Sequence, residues 1–493
     1  MAEGTMQRPD APLAGAELAL PYLLDDADFA SFARRAAAGA TRARVSEPLL
    51  GALVAALWTA RAGLEPRGLA VLVGDDDAAR ALCEAASAFL PGEPVAFMPS
   101  RGAAHGSGLD PAPHLAGERA RALHALAAGG LVAVSADALV ERVPPAASRP
   151  RAVELRLGEE RSFDDLTHEL ADAGYERAHT VEERGQFSVR GGLVDVFPST
   201  GREPVRAEFF GDSLERLSAF SGFTQRSLRD LDHVLIHAAA ERAPTGSDPT
   251  VAWGVEEDEG AVPEGLVSPL PELAGAAALV AWNPDALAAE VEEAFAEAAE
   301  LLRDPVALRR GYVPVAEARE LIDDATALDE MPLGQPASFD ARPPALASFG
   351  VAEAENELRS LERAGYRVLV CFPHLGEARR THLQLRRVDV ALPDPGAPGP
   401  EEAGVAFCVG QIRRGFVAPG LRLAVLPSGQ LFRRRSSRGP ARIGRALATV
   451  ADLRPGDFVV HEDHGVGRFV RFDTKEVGGV VRDYLYLEFR GDD

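Results

Sequence analysis

Residues 174–220 read GYERAHTVEERGQFSVRGGLVDVFPSTGREPVRAEFFGDSLERLSAF. Four short runs stand out: FSVR, LVDVF, VRAEFF and LERLSAF. They are separated by Gly191-Gly192, by Pro198–Pro204 and by Gly211-Asp212. Strand-forming runs at this spacing, broken by turn residues, predict an antiparallel meander. Alternation along a strand puts Phe187 and Val189 on one face and Ser188 and Arg190 on the other. Gly191-Gly192 permits a tight left-handed turn, which is expected to lift the Arg190 guanidinium clear of the sheet. Arg177, Arg184 and Arg206 fall close by, with Phe187 among them. Exposed arginine beside an aromatic ring is a common interface anchor. The competing reading is that these arginines only solvate one face of a sheet. Asp195, Glu208 and Asp212 read as sheet-surface charges beside the arginines rather than a catalytic carboxylate pair.

Outward from the meander the text changes. FDDLTHELADAG, just before it, reads as a short helix. From Leu49 to about Pro144, apolar strands alternate with helices. GLAVLVGDD (Gly68–Asp76) and LVAVS (Leu131–Ser135) read as buried parallel strands, each followed by an amphipathic helix. Asp75, Asp76 and Asp77 then form a solvated turn. Residues 241–272 are acidic and Pro-rich, and a helix-rich block runs on to about Ser348. GYRVLVCFP (Gly365–Pro373) opens another α/β unit, interrupted by LPDPGAPGPEEAG, a flexible surface loop. After about Ala451 the text is strand-like again. The expected division is 1–151, 152–240, 241–348, 349–450 and 451–493, in an α/β multidomain chain.

The chain has 493 residues and a net charge of −23. A wholly basic nucleic-acid coat is excluded. The N-terminus lacks a basic signal-peptide region, and no apolar run is long enough for a bilayer, so no membrane partner is expected. Cys83, Cys371 and Cys408 are far apart in sequence, which argues against a disulfide framework or a cysteine zinc site and makes a reducing cytoplasm the simplest compartment. Lys475 is the single lysine. A phosphate-binding P-loop needs lysine after a Gly-rich turn. Neither the DTKEVGG around Lys475 nor SEPLLGALVAAL (Ser46–Leu57) supplies that pattern. No GxGxxG fingerprint follows a strand.

The pattern G-Y-x-R, G-x-F-x-V-R-G, V-D-V-F-P and V-R-x-E-F-F-G-D resembles the UvrA-docking domain shared by transcription-repair coupling factors and UvrB. GFVAPGLRLAVLPSGQLFRRR resembles the close of the coupling factors' next domain. LRPGDFVVHEDHGVGRFVRF…VRDYLYLEFRGDD resembles the start of their CarD-like, SH3/Tudor-like β barrel. The order of blocks favours the coupling factors over UvrB, whose first domain carries a P-loop.

This resemblance implies a RecA-like lobe without a P-loop, the UvrA-binding domain inserted in it, a second α/β domain and an incomplete polymerase-binding barrel. The family is an ATP-driven double-stranded DNA translocase that releases stalled RNA polymerase and recruits excision repair. The chain is expected to be an N-terminal fragment holding no cofactor, with ATP and magnesium belonging to a motor outside it. Residues implied for UvrA are Arg177, Arg184, Phe187, Arg190 and Phe197. For the polymerase β subunit they are Arg468, Phe469, Lys475 and Val477, with weak binding expected from a barrel that stops short. Between Val409 and Val450 stand nine arginines and no acid. There Arg433, Arg434 and Arg435 contact DNA or another domain, or simply solvate a linker. His461 and His464, three apart, read as a turn rather than a metal site. Two rival functions remain: a degenerate UvrB-like nucleotide hydrolase, and a CarD-type transcription regulator.

Overall fold

A computed structural model describes residues 12–222, 224–243, 262–331, 336–345, 350–432, 458–461, 465–477 and 480–489. The chain is α/β and forms two compact units. The first is drawn from Met1–Ser100, Ala122–Arg142 and Ser268–Arg435, the second from Arg101–Arg121, Val143–Val267 and Ser436–Asp493.

The first unit is built on a seven-stranded sheet. Its strand order is Ala337–Phe339, Arg42–Val45, Thr326–Asp329, Ala277–Trp282, Gly68–Val73, Leu131–Ser135, Val95–Met98. Every pairing is parallel. Strands such as Gly68–Val73 and Leu131–Ser135 are buried along their whole length, as near-continuous apolar runs covered on both faces should be. Three strands come from the block that reads as helix-rich. They are three to six residues long in a block that also holds a 19-residue helix, too short for their period to stand out from the helical signal.

The run Leu50–Ala60 is a helix, buried from Leu50 to Trp58. Gly51 lets it approach the neighbouring helix Asp76–Ser87, because a Cβ there would stand 2.6 Å from the Cβ of Ala85. Asp75 is not merely solvated: its Oδ1 accepts from the Ala78 amide and caps that helix. Asp76 is tied to the amide and hydroxyl of Ser100.

A second sheet in this unit runs Val390–Ala391, Gly404–Val409, Arg367–Phe372, Leu423–Pro427, Phe416–Ala418, with only the last pairing antiparallel. One of its faces shares a core with the Leu50–Ala60 helix, through Leu369, Cys371, Cys408, Phe416 and Val425. Helices Val351–Arg363 and Leu375–Gln384 contribute to a second core with Phe372 and Phe407. Two of the cysteines far apart in sequence are neighbours here. Cys371 and Cys408 pair in register, with sulfurs 3.1 Å apart, both buried and unbridged. The Pro-rich loop after Leu392 is held rather than loose: Pro393 and Pro400 carbonyls accept from the Ala14 amide and the Tyr22 hydroxyl.

The second unit contains the meander. Its sheet order is Ser227–Asp230, Ser213–Phe220, Val205–Phe210, Leu193–Val196, Gln186–Arg190, Glu176–Arg177. All neighbours are antiparallel except the last pair. Gly191 and Gly211 open the two-residue turns with φ of 60° and 63°, a conformation that glycine adopts without strain. Helix Phe163–Asp172 closes the inner face, where Leu166 and Leu170 meet Phe187, Val196, Val205 and Leu217. Strands Phe458–His461, Gly465–Val477 and Val480–Phe489 form an antiparallel sheet. Among the described residues, no helix is long and apolar enough to cross a membrane.

Candidate protein-docking face

The register of the meander lines up two rows on its outer face. One is Ser188, Asp195, Arg206 and Ser218; the other is Arg190, Leu193, Glu208 and Arg216. Asp195 is the hub. It is 1% exposed. Arg206 holds it with two bonds, Nε to Oδ1 at 2.6 Å and Nη2 to Oδ2 at 2.8 Å. Arg190 adds a third, Nη2 to Oδ2 at 2.7 Å. Arg206 also lies over the Phe220 ring, 4.5 Å from its centroid. The hydrogen bond donated to Asp195 raises the Arg206 pKa above the usual guanidinium value, against the opposing pull of burial. In the second row Arg216 bridges Glu208 and Asp230.

Three sequence expectations change here. Asp195 is not a surface charge but a buried counter-ion, which is why two arginines can converge on it. The turn does not lift Arg190 clear of the sheet; its guanidinium folds back to Asp195, although 47% of the side chain stays exposed. Phe187 is no exposed anchor: its ring is buried under the Phe163–Asp172 helix, on the face opposite Asp195.

The other implied residues do not all share the face of Arg190, since the register pairs Arg177 with Phe187 and Phe187 with Val196. Arg177 lies in the edge strand opposite Phe187, exposed, with no side-chain hydrogen bond or ion pair among the described residues. Arg184 is exposed, its Nε donating to the Gly201 carbonyl at 2.9 Å. The Gln186 side chain shapes its loop by accepting from the amides of Glu182 and Glu183. Phe197 is half-buried. Arg184 lies in the turn before the strand Gln186–Arg190 and Arg190 at its far end, so these cations do not crowd one spot.

Phe210, 83% exposed at the tip of a hairpin, is an apolar group outside the motif residues named above. Strand alternation is enough to expose it. Adjacent Phe209 and Phe210 in one strand must face opposite ways, and Phe209 packs inward on Phe163.

Tyr175, from the G-Y-x-R pattern, pins the back of the face. Its buried hydroxyl donates to the His237 carbonyl at 2.6 Å and accepts from the Ser199 amide at 2.9 Å. Burial pushes its pKa up to about 12, the Ser199 contacts opposing. With the folded value above the unfolded one, this contribution is complete below the ordinary phenol range and is lost as pH rises through the folded value. Tyr175→Phe is expected to cost about 1–3 kcal/mol by stranding the partners of the hydroxyl. Urea unfolding at neutral pH measures it, and an unchanged midpoint would refute it.

At the far end of the chain, Arg468 is exposed while Phe469 is buried, 1% exposed, so its ring is not available to a partner. Lys475 and Val477 lie in the strand Gly465–Val477, opposite Arg482 and Val480. Arg433, Arg434, Arg435 and His464 lie outside the described residues.

In the first unit, Ser46–Leu57 follows the strand Arg42–Val45, where a nucleotide-binding sheet would place its phosphate loop. The chain here is a short 3-10 turn, Glu47–Leu49, leading straight into the buried helix. The Ser46 hydroxyl accepts from the Ala341 amide, and Glu47 pairs with Arg414.

Comparison with known proteins agrees with this architecture. Residues 153–241 match the UvrB interaction domain family, and residues 453–493 match the CarD-like/TRCF RID domain family. The chain is therefore a multidomain α/β protein carrying two interaction domains. It is 30% identical over 480 residues to the transcription-repair-coupling factors of Mycobacterium bovis and Mycobacterium tuberculosis, covering 81% of this chain and 38% of each relative. The Staphylococcus aureus factor is 24% identical over 444 residues, covering 77% of this chain and 38% of that protein. The chain is similar to these transcription-repair-coupling factors along most of its own length, and spans about two fifths of theirs.

Proposed function

We propose that this chain is the protein-docking part of a transcription-repair coupling factor. It captures UvrA on the arginine-lined side of the meander and the RNA polymerase β subunit on its C-terminal strands, so that a polymerase stalled at a lesion brings in excision repair. The observation that carries this reading is the Arg190–Asp195–Arg206 arrangement, with Arg177 exposed on the same sheet. A buried carboxylate fixes Arg190 in place while half of that side chain stays open to a partner. Arginine forks held this way suit carboxylates, and lysine cannot reproduce them. The test is capture of purified UvrA and, separately, of RNA polymerase by the chain. Binding of neither would sink the proposal.

The C-terminal strands belong, on this reading, to an SH3-like barrel, with Arg468 on its contact surface. ATP-driven translocation on double-stranded DNA belongs to the part of the relatives that this chain does not span. The seven-stranded sheet is a RecA-like lobe that has given up nucleotide. Support comes from the Ser46–Leu57 junction, where the turn enters an apolar helix, Gly51 serves helix packing, and an acid rather than a lysine stands at the helix start. A phosphate placed there would meet Glu47 and no cation from the loop. The purified chain is expected to show no ATP hydrolysis above the buffer rate. Turnover that survives repeated purification would overturn this and favour the nucleotide hydrolase reading.

A further inference from the structure

A cavity of about 390 Å³ opens in the first unit, at the end of the seven-stranded sheet where its strands begin. Leu69, Ala278 and Thr326, from the first halves of three neighbouring parallel strands, line it with Val280, Phe29 and Leu57. Ligands of open parallel sheets ordinarily meet the opposite, carboxyl ends, so this cavity is separate from any former nucleotide position. The lining is apolar apart from Thr326 and two arginines, Arg34 and Arg61, and it contains no carboxylate.

The two arginines bring positive charge to an otherwise apolar lining. Arg34 makes no hydrogen bond or ion pair with any described residue. Arg61 caps the end of the Leu50–Ala60 helix and donates from Nη2 to the Pro66 carbonyl. Its Nε is sealed from solvent and has no acceptor. Burial also lowers the Arg61 pKa from its ordinary value, a penalty that an anion beside it would offset.

We propose that this cavity binds a small amphipathic monoanion, an aliphatic carboxylate whose tail lies over Leu57, Leu69 and Val280 while its head meets Arg61 and Arg34. An apolar pocket with a few convergent polar groups is the usual form of a small-molecule site. The head group sets the charge selectivity, because a neutral analogue leaves the charges of Arg61 and Arg34 without a counter-ion in a lining that has no carboxylate.

The experiment is calorimetric titration of the full chain with decanoate and, in parallel, with decanol. Wild type is expected to bind one decanoate per chain with micromolar affinity, and decanol at least about tenfold more weakly. Arg61→Gln should bring decanoate down to the level of decanol. Ala33→Phe, which fills the cavity from its helical wall, should abolish both. Arg34 is exposed, so Arg34→Gln, expected to weaken decanoate alone, keeps the test decisive if the Arg61 variant does not fold. Absence of saturable binding at millimolar decanoate would overturn the proposal. So would equal affinity for decanol, or binding unchanged in the filled variant.

Discussion

In the Arg190→Ala variant, capture of UvrA is expected to fall about 30-fold or more. Truncating one partner of a desolvated charge pair at an interface typically costs about 2–5 kcal/mol, much of it from the charge left behind. Arg190 has the geometry for such a role. Its Nη2 is anchored on Asp195, so less side-chain freedom is lost on binding than for a loose arginine. The fold should tolerate the change, because Asp195 keeps both bonds from Arg206. Arg177→Ala is the cleaner companion, since that side chain has no partner among the described residues to disturb. Arg206→Ala is a different experiment: it strips the fork from a buried carboxylate, and loss of binding there would report damage to the sheet. Binding of UvrA by wild type, Arg177→Ala and Arg190→Ala, with near-ultraviolet circular dichroism as folding control, separates the cases. If both variants bind like wild type, the docking face lies elsewhere.

The largest stability effect is expected at Glu241. Its Oε2 accepts from Arg101 Nε at 2.7 Å and its Oε1 from Arg119 Nε at 2.8 Å. Both arginines are almost fully buried. Burial alone would raise the Glu241 pKa, but Arg119 and Arg101 outweigh it and hold the carboxyl below the usual glutamate range. Glu241→Gln leaves two buried guanidinium groups without their carboxylate. Breaking a buried pair this way costs about 3–5 kcal/mol. The folded pKa is depressed, so the stabilisation is complete above the ordinary glutamate range and is lost as pH falls through the folded value. The difference between variant and wild type should therefore be large at neutral pH and shrink in acid. At neutral pH the urea midpoint should drop by at least about 1 M; coincident curves would show that the cluster does not hold the unit together.

Much of the docking unit was legible in the chain because its signals are local. Turn residues at Gly191-Gly192 and Gly211-Asp212 break β-forming runs at hairpin spacing, and two-residue hairpins leave little freedom of register. The inward row of Phe187 and Val189 follows from alternation alone, and that same alternation should have excluded Phe187 as a surface anchor. The role of Asp195 was not legible, since an acid beside arginines in a strand looks the same whether solvated or sealed. Asp195 is held by Arg206 and Arg190, which come from neighbouring strands, and Gln225 in turn holds Arg206. Glu241 was hidden for the same reason: Arg101 and Arg119 lie more than a hundred residues before it.

By itself the sequence determined that this is a multidomain α/β chain with a β meander, and which arginines stand near that meander's turns. Residue type, hydrophobic period and turn chemistry are properties of neighbours along the chain, and they carry that much. Only the tertiary structure decided that strands after residue 276 complete the sheet begun at Arg42, that Cys371 and Cys408 meet, and that Arg190 is anchored rather than free. Each of these is a contact between segments distant in sequence. Such contacts are set by which buried faces fit together and by where buried charges find their partners, and no local pattern in the chain encodes either.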